Sequence, residues 1–310
     1  MSAILYYLIV FPISFLPLWI LYKFSDLLFF VFNKIIPYRQ KVILENIQRS
    51  FPEKSPAEHT QLLTDFYRHF TDILIEGIKN LSISKRGLRK RMLVRNPELM
   101  EELYAEKRNV ILVSGHYNNW EWLISAQNFL FKHQAFGIGM PMTNKFWDAK
   151  VNQRRQRFGM QVVNSNNYQS KFRTFKKKPF AVLTLGDQSP GHSTKSYWMD
   201  FLHQETAVLF GTEHMANDFN FAVVFFVVHK VKRGYYELEV ILVTKEAKLL
   251  NWGEITETHT KLLEAEIVKN PANWLWSHNR WKREIPQDLR ILKYKQKKNF
   301  EERFRNSDNN

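Results

Sequence analysis

The chain has no cysteine in 310 residues, which excludes disulfides, thiolate nucleophiles and cysteine-ligated metals. Its ten histidines form no His-Glu-x-x-His or comparable ligand pair, so no metal is expected. Internal repeats are absent, and so is any recognised nucleic-acid-binding motif. The longest absence is of charge: residues 1–22, MSAILYYLIVFPISFLPLWILY, carry no acid or base. A helix of 22 residues would rise about 33 Å, enough to cross a bilayer core. No Lys or Arg precedes this run and no small-residue cleavage site ends it, which argues against a removed secretory signal.

The charges that the N-terminus lacks follow it. Lys23, Lys34, Arg39 and Lys41 flank the apolar run, and positive charge on that side is expected to keep the rest of the protein on the cytoplasmic face of the inner membrane. Pro12 and Pro17 each remove a helical hydrogen bond, so a kinked or half-inserted anchor competes with a straight span. Over the whole chain 45 Lys and Arg face 30 Asp and Glu, a net charge of +15. On an anchored protein this excess points to an anionic membrane surface and acidic partners, and not to nucleic acid.

Periodicity predicts helices over residues 38–53, 59–80, 120–131, 144–158 and 255–269, and strands near 110–113, 135–140, 180–185, 222–228 and 236–242. Alternation of this kind implies an α/β fold with a mainly parallel central sheet flanked by helices. The expected organisation is a membrane anchor over 1–36, one catalytic domain over 37–290 and a charged, frayed tail over 291–310.

The most informative stretch is RNVILVSGHYNNWEW, residues 108–122. An uninterrupted apolar strand ends at Ser114-Gly115, and Asn118 or Asn119 is placed to cap the helix that follows. His116 then lies at a strand's carboxyl end, where open α/β sheets build their sites, with Glu121 in the next helical turn. A carboxylate on one imidazole nitrogen fixes the tautomer and leaves the other nitrogen free to take a proton from a hydroxyl. Glu121 is therefore expected as the partner of His116. The competing structural reading makes His116 a helix cap and Glu121 a charge interacting with the helix N-terminus.

Further ordered blocks accompany this one: ENIQRSFPE at 45–53, RRQRFG at 154–159, GDQSPG at 186–191 and WLWSHNRWK at 274–282. Together with the apolar N-terminus, in this order, the chain resembles the bacterial lipid A late acyltransferases, the lauroyl and myristoyl transferases within the lysophospholipid acyltransferase superfamily. The resemblance implies a glycerolipid-acyltransferase-like fold and an O-acyltransferase with His116 and Glu121 as catalytic dyad. It implies no cofactor, with an acyl thioester, on acyl carrier protein or coenzyme A, as co-substrate and a lipid A precursor hydroxyl as acceptor. Arg155 best fits an arginine that binds the acyl or phosphate group, with Arg154 and Arg157 as rivals. Asn119, Asp187 and Gln188 would line the site, the last two again at a strand's carboxyl end; a turn built on Asp187, Pro190 and Gly191 is the plainer account. Asn118 stands where many members have glycine, and Asn279 where a second arginine or histidine is common. A lysophospholipid or a 3-hydroxyacyl aminolipid is the alternative acceptor, and a non-catalytic membrane lipid-binding protein the reading from another class.

Overall fold

The computed structural model describes residues 2–139, 142–165 and 167–305. Its N-terminus is not one helix. Residues run as α1 (Ser2–Leu5), a π-helical stretch (Tyr6–Val10) and α2 (Phe11–Ser14), break at residues 15–16 and resume as α3 (Leu18–Phe30), which ends in a second π stretch (Val31–Ile35). The break falls where Pro17 offers no N–H, so the preceding carbonyls need other donors. Lys79 Nζ donates to the carbonyls of Ser14 and Leu16, each at 3.0 Å, and the Ser82 hydroxyl also donates to Ser14. Among the described residues no helix is long and apolar enough to cross a membrane. In place of a straight span, the segment is a helix broken ahead of Pro17, as the kinked alternative has it, and held against the body at Lys79 and, through Tyr7, at Lys150, with Leu21 and Ser25 wholly buried. In this segment Ser14 and Ser25 are 0 % exposed, whereas Leu8 is 72 % and Trp19 68 % exposed.

Helix α4 (Gln40–Ser50) leads to α5 (Pro56–Lys79), which begins in a capping box in which the Ser55 hydroxyl accepts from the Glu58 N–H and the Glu58 carboxylate accepts from the Ser55 N–H. The helix buries Leu62, Leu63, Phe66 and Ile73 as its spacing predicts, while Leu74, expected on the same face, is exposed. A short α6 (Lys85–Arg89) precedes β1 (Met92–Val94) and α7 (Glu98–Ala105). Then come β2 (Val110–Ser114), α8 (Trp120–Leu130), β3 (Gln134–Gly139), α9 (Lys145–Gln156), β4 (Gln161–Asn164), α10 (Tyr168–Thr174) and β5 (Phe180–Leu185). A hairpin, β6 (Tyr197–Phe201) and β7 (Gln204–Val208), leads through α11 (Gly211–Phe219) to β8 (Ala222–Lys232), β9 (Tyr235–Thr244) and α12 (Glu254–Lys269). The chain closes with α13 (Leu289–Phe304).

The seven-stranded sheet has the order β1-β9-β8-β2-β5-β3-β4. β8, β2, β5, β3 and β4 run parallel, and β9 turns back antiparallel on β8 with β1 parallel to β9. The α/β expectation therefore holds, and β2 lies in the middle with both faces covered. Val110 and Leu112 join the apolar cluster on one face, Ile111 and Val113 that on the other. This period of two is what a strand buried on both sides needs, and it explains the unbroken run 110–113.

Strand boundaries agree with the sequence to a few residues, although Met140, the expected end of β3, lies outside the described residues. The tail differs more. Instead of fraying, α13 docks through buried Phe300, while Arg305 donates to the Leu250 carbonyl at 2.5 Å. Its few apolar residues escaped notice among the charges; residues 306–310 lie outside those described.

The recapture of the broken helix generates a prediction. Lys79→Met removes the only charged donor to the Ser14 and Leu16 carbonyls among the described residues and should lower stability by about 1–2 kcal/mol. Limited proteolysis should then cut sooner near Pro17. Unchanged cleavage and melting would mean that the break does not depend on this contact.

Candidate active site

The carboxyl ends of β2 and β5 lie side by side, with Ser114 opposite Leu185, and the Gly186 N–H donates to the Ser114 carbonyl at 2.8 Å. This register carries Asp187 beneath His116. Asp187 Oδ2 accepts from the His116 backbone N–H at 2.8 Å, and Oδ1 lies 2.6 Å from His116 Nδ1. The Trp274 indole N–H adds a third bond to Oδ2 at 2.8 Å. Gly115 makes this approach feasible: a Cβ there would sit 2.8 Å from Asp187 Cγ and 2.6 Å from Leu263 Cδ2.

The imidazole partner is thus Asp187 and not Glu121. Burial alone would raise the Asp187 pKa, but the His116 charge and the hydrogen bonds from His116 and Trp274 outweigh it and hold the carboxyl down at about 2. With the carboxylate ionised, Nδ1 is the protonated nitrogen and Nε2 is left as the acceptor. Among the described residues Nε2 meets Gln188 Nε2 at 3.4 Å. The Trp120 ring stands edge-on to the imidazole, 5.0 Å between centroids, and blocks rotation.

Glu121 faces the other way. Its carboxylate receives Arg155 Nη2 at 2.8 Å on one oxygen and Arg154 Nη2 on the other. Burial pushes its pKa up, and the two guanidinium groups more than reverse this, leaving it lowered; His116 is close enough to contribute a smaller pull. Arg157, the third candidate, donates instead to the carbonyls of Asn80, Leu81 and Ser82. The structure therefore joins Glu121, Arg154 and Arg155 in one cluster, and His116, Asp187 and Gln188 in another beside it.

Between the two turns the backbone is tightly determined. Asn118 adopts φ +51°, a left-handed conformation, which gives a physical reason for its standing at a glycine position: Asn tolerates αL better than other side-chain residues. Its amide donates to the Val228 carbonyl at 2.6 Å, and its N–H to Asn273 at 3.0 Å. Asn119 Oδ1 caps α8 by accepting from the Trp122 N–H at 2.9 Å, while its Nδ2 donates to Glu76 at 2.5 Å. Asn119 is accordingly a structural cap and not a side chain lining the site.

Trp274 and His278 belong to the block at 274–282 without a role given to them there, and Glu76 gave no sequence signal that was used. Glu76 is wholly buried and accepts from Asn119, from Tyr22 at 2.7 Å and from Tyr236 at 2.6 Å. A lone acid inside the apolar run Ile73 to Ile78 was the available signal. His278 Nε2 accepts the Ser189 N–H at 3.0 Å, in keeping with a pKa lowered by burial to about 4, and so steadies the loop after Asp187.

A cleft of about 460 Å³ opens over these groups. His116, Gln188 and Arg155 form its polar end, and Ile124, Ile138, Met160, Leu183, Leu209 and Met215 are among its apolar walls. Gly137 and Gly139 lie on its floor, where β3 offers no side chain to fill the space. No group of His, Asp and Glu suited to hold a metal occurs among the described residues.

A family model described as bacterial lipid A biosynthesis acyltransferase matches residues 1–283. A Haemophilus influenzae protein, "Lipid A biosynthesis acyltransferase", is 28 % identical over 246 residues, covering 74 % of this chain and 72 % of its own. An Escherichia coli protein, "Lipid A biosynthesis lauroyltransferase", is 22 % identical over 245 residues, 79 % of each chain.

The His116–Asp187 pair makes stability acid-sensitive in a defined window. Since the carboxyl is lowered from 3.8 to about 2 on folding, its contribution of order 2 kcal/mol is complete above about pH 4 to 5 and is lost as pH falls through about 2. Asp187→Asn should flatten this part of the stability profile in denaturant titrations at pH 6 and pH 2.5. Parallel profiles for the two proteins would exclude an ionised, paired Asp187.

Proposed function

The chain belongs to the bacterial lipid A biosynthesis acyltransferase family, and on that premise we propose that it moves a fatty acyl chain from a thioester to a hydroxyl of a lipid A precursor. It is an acyltransferase. The single observation that carries the finer reading is His116, locked by Asp187 at the polar end of an apolar cleft.

In this reading the donor's acyl chain lies along the apolar walls with its thioester at the polar end. His116 Nε2 takes the proton of the acceptor hydroxyl as its oxygen attacks the thioester carbonyl. Asp187 stabilises the imidazolium that results. Arg155, on the cleft wall, supports the negative charge that develops on the carbonyl oxygen, and Glu121 fixes the Arg155 guanidinium. Collapse of the tetrahedral intermediate breaks the C–S bond, and the imidazolium returns its proton to the departing thiolate. The products are an ester and a thiol, and no covalent acyl-enzyme or cofactor is needed. Acyl carrier protein and coenzyme A both present such a thioester, and the basic surface suits the acidic face of the former as well as anionic lipid.

Membrane seating is part of the proposal. A broken N-terminal helix that buries serines and exposes Leu8 and Trp19 suits an apolar medium on its outer side, as for a segment lying in the interface of the inner membrane with the catalytic body cytoplasmic.

His116→Ala should lower transfer by about 10²- to 10⁴-fold without loss of fold, since the base alone is removed. Asp187→Asn should follow it closely, whereas Glu121→Gln and Arg155→Lys should each retain part of the rate, the first because an amide oxygen still accepts from the guanidinium, the second because an ammonium reproduces the charge but not the planar fork. The assay is thioester-dependent labelling of a lipid A precursor. Near-normal turnover by folded His116→Ala would end the mechanism, and labelling of a lysophospholipid or an aminolipid alone would change the acceptor.

Seating has its own test. Leu8→Glu combined with Trp19→Glu should sharply reduce flotation with vesicles while leaving the circular dichroism spectrum unchanged. Equal flotation would remove the N-terminal segment from the membrane surface.

A further inference from the structure

A separate cleft, of about 710 Å³, opens where the N-terminal helix breaks. Its walls bring together Phe15 and Trp19 from either side of Pro17, Lys79 at the end of α5, Ser84 at the cap of α6, and Arg91 and Arg233. We propose that this cleft binds the phosphodiester headgroup of an anionic bilayer phospholipid, held as a fixed lipid and not as a substrate. The inference deepens the membrane seating proposed above and rests on it.

Charge is the first argument. Arg233 is neutralised by Asp26 at 2.8 Å and Asp72 at 2.6 Å. Lys79 and Arg91 meet no carboxylate among the described residues. Lys79 uses two of its three N–H groups on the Ser14 and Leu16 carbonyls. Arg91 donates through Nη1 to the Gly234 carbonyl at 3.1 Å, and its guanidinium lies over the Tyr235 ring, 4.5 Å from the centroid. Burial lowers the Lys79 pKa and the Arg91 charge lowers it further, so the two cations are close enough to oppose each other. The Ser84 hydroxyl accepts from the Gly87 N–H at 3.0 Å and keeps its own proton to donate. The groups left open are thus donors, two of them charged, and their complement is an anion with several acceptor oxygens.

Surroundings are the second. Phe15 and Trp19 are 62 % and 68 % exposed beside these donors. Aromatic rings next to cations are what the headgroup level of a bilayer accommodates. A lipid whose phosphate meets Lys79 and Arg91 can lay its acyl chains along the two rings, whereas a soluble anion leaves them bare. No residue lining this cleft also lines that of His116, so a phosphate held here does not bring its lipid to the imidazole. This favours a lipid of the bilayer over the acceptor consumed in transfer. The bound headgroup would also balance the charge of Lys79 at the point where that side chain holds the break.

The test uses the full-length protein in micelles of a neutral detergent. Its probes are dihexanoyl phosphatidylglycerol, dihexanoyl phosphatidylcholine and inorganic phosphate, read by calorimetric titration. Phosphatidylglycerol should bind about tenfold tighter than either of the others, the size of one charge-assisted hydrogen bond, and should slow proteolysis near Pro17. Arg91→Gln should lower its affinity by about the same factor. Ser84→Asp keeps a side chain that caps α6 and adds a negative charge to the cleft, so it should weaken phosphatidylglycerol too without unfolding the site. Lys298→Gln removes one charge from α13 and should change nothing; an equal loss there would reduce the effect to net charge and overturn the assignment. Equal wild-type affinities for the two lipids overturn it without any variant. So does displacement of phosphatidylglycerol by equimolar inorganic phosphate, which would make the ligand a free anion. Stronger displacement by a phosphorylated diglucosamine lipid would give the cleft to the acceptor, and overturns it likewise. Binding in micelles needs neither vesicles nor turnover, so its failure strikes this cleft alone, and failure of the seating is read separately by flotation.

Discussion

One carboxylate organises the end of the sheet. Asp187 receives the His116 backbone N–H, the His116 ring and the Trp274 indole, so that a single buried side chain fixes the turn, the tautomer and the position of the C-terminal Trp-rich block at once. Each bond depends on features set elsewhere. The parallel register of β2 and β5 brings residue 187 beneath residue 116, Gly115 leaves room for the contact, and Leu263 of α12 closes the space behind it. A buried carboxylate is costly unless every lone pair facing the protein is used, and here three donors meet that condition. The same satisfaction keeps it ionised, and an ionised Asp187 is what directs the imidazole proton to Nδ1.

The sheet was legible because β2, β5 and β8 consist of apolar β-branched and aliphatic runs of strand length, and a strand buried on both faces can hardly be written otherwise. His116 was legible for a related reason, as a polar residue straight after such a run. Its partner was not. Local spacing placed Glu121 one turn away, but α8 starts at Trp120 behind a left-handed Asn118 and an Asn119 cap, and this geometry sends the Glu121 side chain across to α9. Asp187 is 71 residues distant, and only strand register makes it a neighbour. Strands as short as β1 and β4 lack the length for a period to be seen, and the strands of the β6-β7 hairpin, though as long as β2, are interrupted by Asp200, Gln204, Glu205 and Thr206. The docking of α13 hangs on Phe300 inside a segment otherwise read by its charge.

The N-terminus shows how composition and conformation part company. Twenty-two uncharged residues have the length of a bilayer span, yet Pro17 interrupts the ladder and Lys79 with Ser82 supplies the donors that make the interruption tolerable. Once bent, the chain cannot bury all its apolar residues against one body. What it buries is chosen by hydrogen bonding: the Ser25 hydroxyl donates to Asp72 at 2.8 Å, and Arg233 draws Asp72 and Asp26 together across α5 and α3. The apolar remainder is left outward. Composition thus states that the segment prefers an apolar medium, and the bend decides that only one side of it is presented.

Glu76 carries that arrangement to the site. It is a buried carboxylate with donors from three directions, Tyr22 of α3, Tyr236 of β9 and Asn119 at the cap of α8. Burial pushes its pKa up, while the hydrogen bonds from Tyr236, Tyr22 and Asn119 oppose this. Removing any donor would leave a buried carboxyl oxygen without its partner, so one side chain couples the three elements. The N-terminal segment is consequently no loose tether. On the proposed reading, a body held to the membrane through it presents the His116 cleft at a fixed height and tilt to the interface. Orientation of this kind lowers the entropy lost when a lipid acceptor and a soluble donor are brought to one imidazole.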